Sequence, residues 1–211
     1  RISSEIRRKC FKGYKQEARR IDTAGSGTMG FVQSSNFVYL QTCSKVTEMN
    51  ITMSKAILFI FSGLPAVGKS TLASFVAKEF GAIYLRIDTI EQGLKDLCRI
   101  SVEGEGYRLA YRIASDNLQL SNNVVADSCN PIELTRKEWE EVAAKKSCRF
   151  LNIEIVCSDK SEHKQRAEQR ISTVENMTIP TWDDIENREY HKWEKDHITI
   201  DTAGKTIEQC K

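Results

Sequence analysis

The sequence lacks the features that usually mark membrane, secreted and zinc-binding proteins. Its longest apolar run, around AILFIF, is far shorter than the roughly 20 residues that span a bilayer, and no apolar signal-peptide segment follows Arg1. The seven cysteines are odd in number, widely scattered and never spaced as CxxC, so they indicate neither a disulfide framework nor a zinc site. We therefore expect a cytoplasmic protein with no membrane partner.

The chain also lacks a strong excess of charge of one sign. Residues 1–52 contain nine Lys and Arg against four Asp and Glu, whereas residues 53–211 contain 22 against 25. The slightly acidic larger part argues against a protein that binds along the phosphate backbone of nucleic acid. We expect a monomer or homodimer that acts on a small molecule.

The first 52 residues differ from the rest of the chain. They show no sustained periodicity, contain the turn-like TAGSGTMG, and offer one short strand candidate, NFVYLQT. Met53-Ser54-Lys55 reads as a natural start directly before a strand. We interpret residues 1–52 as a weakly structured extension, with a small flanking subdomain as the alternative, and residues 53–211 as the functional domain.

From residue 55 onwards, strand and helix patterns alternate. The apolar run KAILFIF predicts a strand buried on both faces, and AIYLRID (82–88), NVVAD, RFLNIEIVC and HITID predict four more. Helices are predicted over 69–80, 107–120, from Asn130-Pro131 to about Lys146, and over 159–171. This alternation predicts a doubly wound α/β domain with a parallel five-stranded sheet.

A glycine-rich loop follows the first predicted strand. Within FSGLPAVGKST, residues 61–71, the sequence fits G-x-x-x-x-G-K-[ST], in which glycines let backbone N–H groups wrap around phosphates at a helix N-terminus. The strand before and the amphipathic helix after favour a nucleotide site over a chance match. The predicted nucleotide contacts are Gly63, Leu64, Pro65, Ala66, Val67, Gly68, Lys69, Ser70 and Thr71. Lys69 would reach the β- and γ-phosphates, and Ser70 would bind Mg²⁺.

Two acidic residues end the second and third predicted strands. Ligands of open α/β sheets bind beyond the carboxyl ends of the strands, so Asp88 and Asp127 should face the loop. Asp127 suits Mg²⁺ or its waters, and Asp88 suits an acceptor hydroxyl, which it would deprotonate or align. The two roles could be exchanged, and either residue could instead cap the following helix.

Arg166 and Arg170 lie four residues apart in HKQRAEQR, hence on one face of the predicted helix. Arginines on a closing lid neutralise the charge that develops during phosphoryl transfer. A solvated charged helix is the alternative, and the polar stretch 171–181 follows it. His163, on the same helix, is interpreted as a surface residue.

Taken together, these segments resemble a bacterial family of small P-loop proteins that are usually labelled AAA-family ATPases or predicted kinases. They are similar in turn to the kinase domain of polynucleotide kinase, chloramphenicol phosphotransferase, gluconate kinase and zeta toxins. The resemblance covers about Lys55 to the end. It is carried by GLPAVGKSTLA, YLRIDTIEQGL, GYRLAYRIASDNL, VVADSCNPIELTR, VCSDKSEHKQRAEQR, IPTWDDIENREYHKW and IDTAG.

The resemblance implies an adenylate-kinase-like fold that uses ATP and Mg²⁺ to phosphorylate a hydroxyl. It assigns Asp88 to the acceptor, Arg166 and Arg170 to a lid, and DTAG, residues 201–204, to the adenine. It also implies acceptor contacts from Tyr107, Arg108, Tyr111 and Asp116. The sequence departs from related polynucleotide kinases, which carry Arg-Asp-Asp where this chain has Arg86-Ile87-Asp88.

Three functions compete on the sequence alone. A small-molecule phosphotransferase accounts for Asp88, the lid and the predicted acceptor helix together. An ATP-hydrolysing switch is disfavoured because the span after Met53 is too short for an additional helical domain. A nucleic-acid 5′-hydroxyl kinase is disfavoured because residues 53–211 offer no basic stripe.

Overall fold

The apolar run that follows Lys55 forms a strand, β1, all six residues of which are buried. The computed structural model describes residues 56–210, so the extension expected over residues 1–52 lies outside the described part of the chain. Within it the elements are β1 Ile57–Ser62, α1 Lys69–Glu79, β2 Ile83–Arg86, α2 Ile87–Cys98, α3 Glu105–Gln119, β3 Val124–Asp127, α4 Glu133–Lys145, β4 Arg149–Val156, α5 Lys160–Glu168, α6 Trp182–Glu186, β5 Ile198–Asp201 and α7 Ile207–Cys210.

The five strands form one sheet in the order β2-β3-β1-β4-β5, and every pairing is parallel. The predicted parallel five-stranded α/β sheet is therefore confirmed. Asp127 pairs in register with Phe61 on one side and with Arg86 on the other. The carboxyl ends of the three strands β2, β3 and β1 thus lie level, which brings the segments that follow them to one edge of the sheet.

The core lies on both faces of this sheet. Leu58, Ile60 and Val124 pack on one face against α3 and α4, where Trp139 is fully buried. Helix α1 buries Leu72 and Val76, and Phe80 just after it contacts Phe59 from the strand in the middle of the sheet. Burial on both faces explains why β1 and β3 read as continuous apolar runs rather than as alternating patterns.

Three boundaries differ from the sequence prediction. Strand β2 ends at Arg86 and helix α2, which the sequence did not predict, begins at once, so Asp88 lies in a first helical turn. Asn130 does not cap a helix: its φ is +49°, and its side-chain amide donates to Ser62 Oγ at 3.0 Å, while α4 begins only at Glu133. Helix α5 ends at Glu168, two residues before Arg170.

Within residues 56–210, none of the helices has both the length and the apolar character that crossing a membrane requires.

Candidate active site

The loop of residues 63–71, here called the glycine loop, connects β1 to α1. Gly63 has a φ of +137°, and a Cβ on it would lie 2.2 Å from the carbonyl oxygen of Ile155, closer than any side chain allows. Gly68, with φ of +94°, is the N-cap of α1. Only glycine tolerates both the positive φ and this close approach. The backbone of the neighbouring strand therefore requires glycine at position 63, whether or not a ligand is bound.

The N-terminus of α1 offers free backbone donors. No side chain caps it, and its first turn contains no acidic residue. The first N–H groups of a helix have no partner within the helix, and they carry a partial positive charge. An anion at this end of α1 would therefore be favoured, as the motif predicts.

Lys69, the first residue of α1, bends its side chain back over the glycine loop. Its Nζ donates to the carbonyl oxygen of Leu64 at 3.1 Å. The ammonium group therefore lies above the same loop whose amides it would supplement, where a phosphate oxygen could take the place of the carbonyl.

Asp127 is buried at the end of β3 and is held by Tyr84. The phenol donates to Asp127 Oδ2 at 2.6 Å. Burial first, and the Asp127 carboxylate second, raise the pKa of Tyr84, so it remains a donor at neutral pH. Asp127 caps no helix, because the next helix begins six residues later.

These residues fit Mg²⁺ as it is usually bound with a nucleotide. Ser70 and Asp127 line the same cavity and offer the hard oxygen ligands that the ion prefers, and the remaining positions would belong to phosphates and water. In residues 56–210 no group of three or more His, Cys, Asp and Glu side chains could hold a metal.

Asp88 lies half-buried in the first turn of α2, between two guanidinium groups. Its Oδ2 is 4.0 Å from Arg86 and 3.9 Å from Arg170. Arg86 is itself held, since it donates to Thr173 Oγ1 at 2.7 Å. The carboxylate therefore lies beside two cations and also lines the cavity described below.

Arg166 and Arg170 reach different walls of the site. Because α5 ends before Arg170, the two side chains do not share a helical face as predicted. Arg166 donates to Thr202, at 2.8 Å to Oγ1 and 3.0 Å to the carbonyl oxygen, and to Glu162. Arg170 instead turns towards Asp88. Arg166 thus links α5 to the segment after β5, whereas Arg170, beyond the end of α5, lies near the start of α2.

A cavity of about 910 Å³ collects these groups. Of the residues predicted for the site, those that line it are Pro65, Ala66, Gly68, Lys69, Ser70, Thr71, Asp88, Asp127, Arg166 and Arg170. Gly63, Leu64 and Val67, which were also predicted, do not line it. Thr202 and Lys205, in and just after the predicted adenine segment, line the same cavity.

Sequence reasoning missed Glu91, which lines the cavity one helical turn after Asp88. Burial first, and the Asp88 carboxylate second, raise the pKa of Glu91. A Cβ on Gly106 would lie 2.2 Å from Glu91 Cγ, so the glycine at the start of α3 makes room for this side chain. The signal in the sequence was the spacing of three residues between Asp88 and Glu91, which places both on one face once α2 is known to be a helix.

The interpretation of His163 as a surface residue is wrong. The side chain is 6% exposed, and its Nε2 lies 2.8 Å from the carbonyl oxygen of Pro65 in the glycine loop. The ring of Trp182 packs edge-on against it with centroids 5.2 Å apart. The charged sequence of α5 predicted an exposed side chain at this position, but packing against Trp182 of α6 buries it.

The acceptor contacts implied for α3 do not line the cavity. Tyr107 is partly buried against the core, and its hydroxyl accepts from the backbone N–H of Asn130 at 3.0 Å. Tyr111 packs edge-on against Trp139 with centroids 4.6 Å apart. Both tyrosines attach α3 to the sheet and α4. The cavity is lined by Asp88 and Glu91 of α2 instead of by these tyrosines of α3.

Comparison with known proteins agrees with this geometry. A family model described as "AAA domain" matches residues 58–188. The chain belongs to this AAA-domain family. The resemblance to small P-loop proteins labelled AAA-family ATPases or predicted kinases is thereby confirmed. No curated protein matches the chain.

Solved structures of kinases share the fold. An APS kinase from Mycobacterium tuberculosis, in complex with AMPPNP and APS, is 16% identical with a TM-score of 0.55, covering 74% of this chain and 92% of that one. A putative kinase from Chloroflexus aurantiacus is 18% identical (TM-score 0.57, 74% and 91% covered), and a gluconokinase from Sinorhizobium meliloti 15% (0.51, 74% and 87%). The AAA-domain chain therefore has the fold of small P-loop kinases.

Proposed function

We propose that the protein is an ATP-dependent phosphotransferase that moves the γ-phosphate of Mg-ATP to a hydroxyl group of a small molecule. One observation carries the proposal: the glycine loop with Lys69 and the two carboxylates Asp88 and Asp127 open into the same cavity. A carboxylate in the cavity beside the loop can serve as the base for an acceptor hydroxyl, or for water in a hydrolase, so the assay below follows the label into both products.

The proposed role of each residue follows from its position in the cavity. The amides of the glycine loop and Lys69 bind the phosphates, while Ser70 and Asp127 would hold Mg²⁺, which would neutralise part of the phosphate charge. Asp88 accepts the proton of the acceptor hydroxyl as its oxygen bonds to the γ-phosphorus and the bond to the β–γ bridging oxygen breaks, leaving ADP. Arg170, beside Asp88, is placed to stabilise the charge on the transferred group.

The acceptor end of the cavity favours a hydroxyl-rich molecule. Asp88 and Glu91 present carboxylate oxygens that accept hydrogen bonds, while Arg86, Arg170 and Arg188 line the same cavity and offer donors. A small polyol, sugar, nucleoside or aminoglycoside-like compound has hydroxyls that donate and accept, so it meets both kinds of group. A nucleic-acid strand is disfavoured by the slightly acidic balance of residues 53–211.

The test is a screen with γ-labelled ATP against sugars, nucleosides, antibiotics and oligonucleotides, with product detected as labelled acceptor. We expect label to move to at least one neutral or amine-bearing hydroxyl compound, and this transfer to require Mg²⁺. Brisk release of inorganic phosphate with no labelled acceptor would replace the proposal by a hydrolysing switch. Label on oligonucleotide 5′ ends alone would identify a polynucleotide kinase.

A further inference from the structure

Two carbonyl oxygens of the glycine loop lie against side chains from distant elements. The Pro65 carbonyl accepts from His163 of α5. The Val67 carbonyl lies 3.1 Å from the Thr202 hydroxyl just after β5, whose single proton it shares with the Val156 carbonyl at 3.0 Å. His163 Nε2 carries the proton of its bond, because a carbonyl oxygen can only accept. Both loop oxygens therefore face α5 and the end of β5, and the bond from His163 is the one with an undivided donor.

The orientation of a carbonyl fixes the orientation of the next amide. In a trans peptide the C=O and the N–H that follows point in opposite directions, and the described residues contain no cis peptide. Binding of the Pro65 oxygen by His163 therefore directs the Ala66 N–H the other way. Ala66 lines the cavity, so this amide is one of the donors available to a phosphate.

Ala66 does not adopt this conformation by preference. Its φ is +66°, in the left-handed region that residues with a Cβ disfavour. A flip of the peptide plane between Pro65 and Ala66 would return φ to negative values, but it would also turn the Pro65 oxygen towards the cavity. An oxygen in that place would repel a phosphate instead of binding it.

We infer that His163 is a positioning residue for the triphosphate: its Nε2–H holds the peptide between Pro65 and Ala66 in the orientation that binds phosphate. The inference rests on the proposed function, since it requires a nucleotide in the glycine loop. The same helix carries Arg166, which binds Thr202, so α5 supports the loop at both carbonyls. Burial under Trp182 keeps water from competing for the Pro65 oxygen.

The test compares two substitutions of similar size in the full chain. His163→Phe retains an aromatic ring but has no donor, whereas His163→Gln places an amide N–H near the position of Nε2. Binding of ATP with Mg²⁺, and of inorganic triphosphate as a probe without a base, is measured by calorimetry. Thermal unfolding without ligand reports any purely structural effect.

We expect His163→Phe to weaken binding of both probes by about tenfold, the effect of one lost donor to a charged group, and His163→Gln to stay within about threefold of the wild type. Equal affinity of the phenylalanine variant and the wild type would overturn the inference. Failure of glutamine to restore affinity at matched stability would do the same.

The outcome also separates this inference from the proposed function. If the wild type itself does not bind ATP, the proposed function fails and the inference with it. If the wild type binds and the variants do not differ, only the role of His163 is lost. Should His163→Phe unfold, His163→Leu removes the donor with a smaller side chain, and the same criterion applies to it.

Discussion

The two halves of the cavity are built from different atoms. In the nucleotide half, backbone amides of the glycine loop are the proposed ligands, and Gly63, His163 and Thr202 fix them from behind. In the acceptor half, side chains line the wall: Asp88 is held between arginines, and Glu91 is half-buried. The proposed nucleotide site therefore depends mainly on backbone geometry, whereas the proposed acceptor site depends on side chains.

The largest effect is expected where the nucleotide half loses its fixed cation. Lys69→Ala should reduce phosphate transfer by at least about a hundredfold, because the Lys69 ammonium lies over the glycine loop, where it would meet the γ-phosphate. Turnover with labelled ATP measures this. Lys78→Ala removes an exposed lysine from the same helix and should leave the rate unchanged; an equal loss in both variants would contradict the assignment.

Asp88→Asn tests the acceptor half without altering the nucleotide half. We expect ATP affinity within about threefold of the wild type and transfer reduced by roughly a hundredfold or more, because an amide cannot accept the hydroxyl proton. Calorimetry and transfer assays together separate the two halves. Asp183→Asn, at an exposed position of α6, is the matched control. Unchanged transfer in Asp88→Asn would leave this residue only an ion-pair partner of the arginines.

Two glycine substitutions compare how well the glycine loop and helix α2 tolerate an added Cβ. Gly63→Ala would place a Cβ 2.2 Å from the Ile155 carbonyl oxygen and should destabilise the protein by about 2 kcal/mol or more. A Cβ added to Gly93, inside α2, would meet no atom within 4 Å, so Gly93→Ala should stabilise the protein by roughly 0.5–1 kcal/mol. Urea unfolding measures both. Similar values for the two would contradict the difference in constraint.

Glu91→Gln gives the smallest expected effect, and one that depends on pH. Because the pKa of Glu91 is raised in the folded state, the folded protein binds this proton more tightly than the unfolded chain does. Stability therefore falls as pH rises from the ordinary glutamate pKa through the raised one. The glutamine variant avoids this loss.

The comparison needs melting temperatures of both proteins across that pH range. Above it, Glu91→Gln should melt at a higher temperature than the wild type, and the difference should vanish in acid below the ordinary pKa. Glu175→Gln, at an exposed position, controls for the loss of a surface charge. A difference that grows in acid would mean that Glu91 is stabilised as a carboxylate.

Sequence reasoning reached the nucleotide half because its constraints are local. The spacing of Gly63, Gly68 and Lys69 reflects what the backbone must do around a phosphate, and β1 and α1 on either side are visible as patterns. The parallel sheet followed from the alternation of strands and helices. The position of Asp127 at the end of a buried strand was equally readable.

The other contacts depend on tertiary structure. His163 belongs to a short helix of mostly polar residues, and only the packing of Trp182 from a later helix buries it. Asp88 was expected at a strand end, but β2 has only four residues and α2 begins immediately. Tyr107 and Tyr111 were assigned to the acceptor by resemblance, whereas their contacts with Asn130 and with Trp139 of α4 hold them, partly buried, against the core.

The most direct measurement is a crystal structure of the wild-type protein with Mg²⁺ and a non-hydrolysable ATP analogue. The account predicts the triphosphate on the amides of the glycine loop, Lys69 within hydrogen-bonding distance of the γ-phosphate, and Asp88 facing the γ-phosphorus across open space large enough for a hydroxyl. A triphosphate bound elsewhere would contradict it, as would a γ-phosphate closed off from Asp88 by protein.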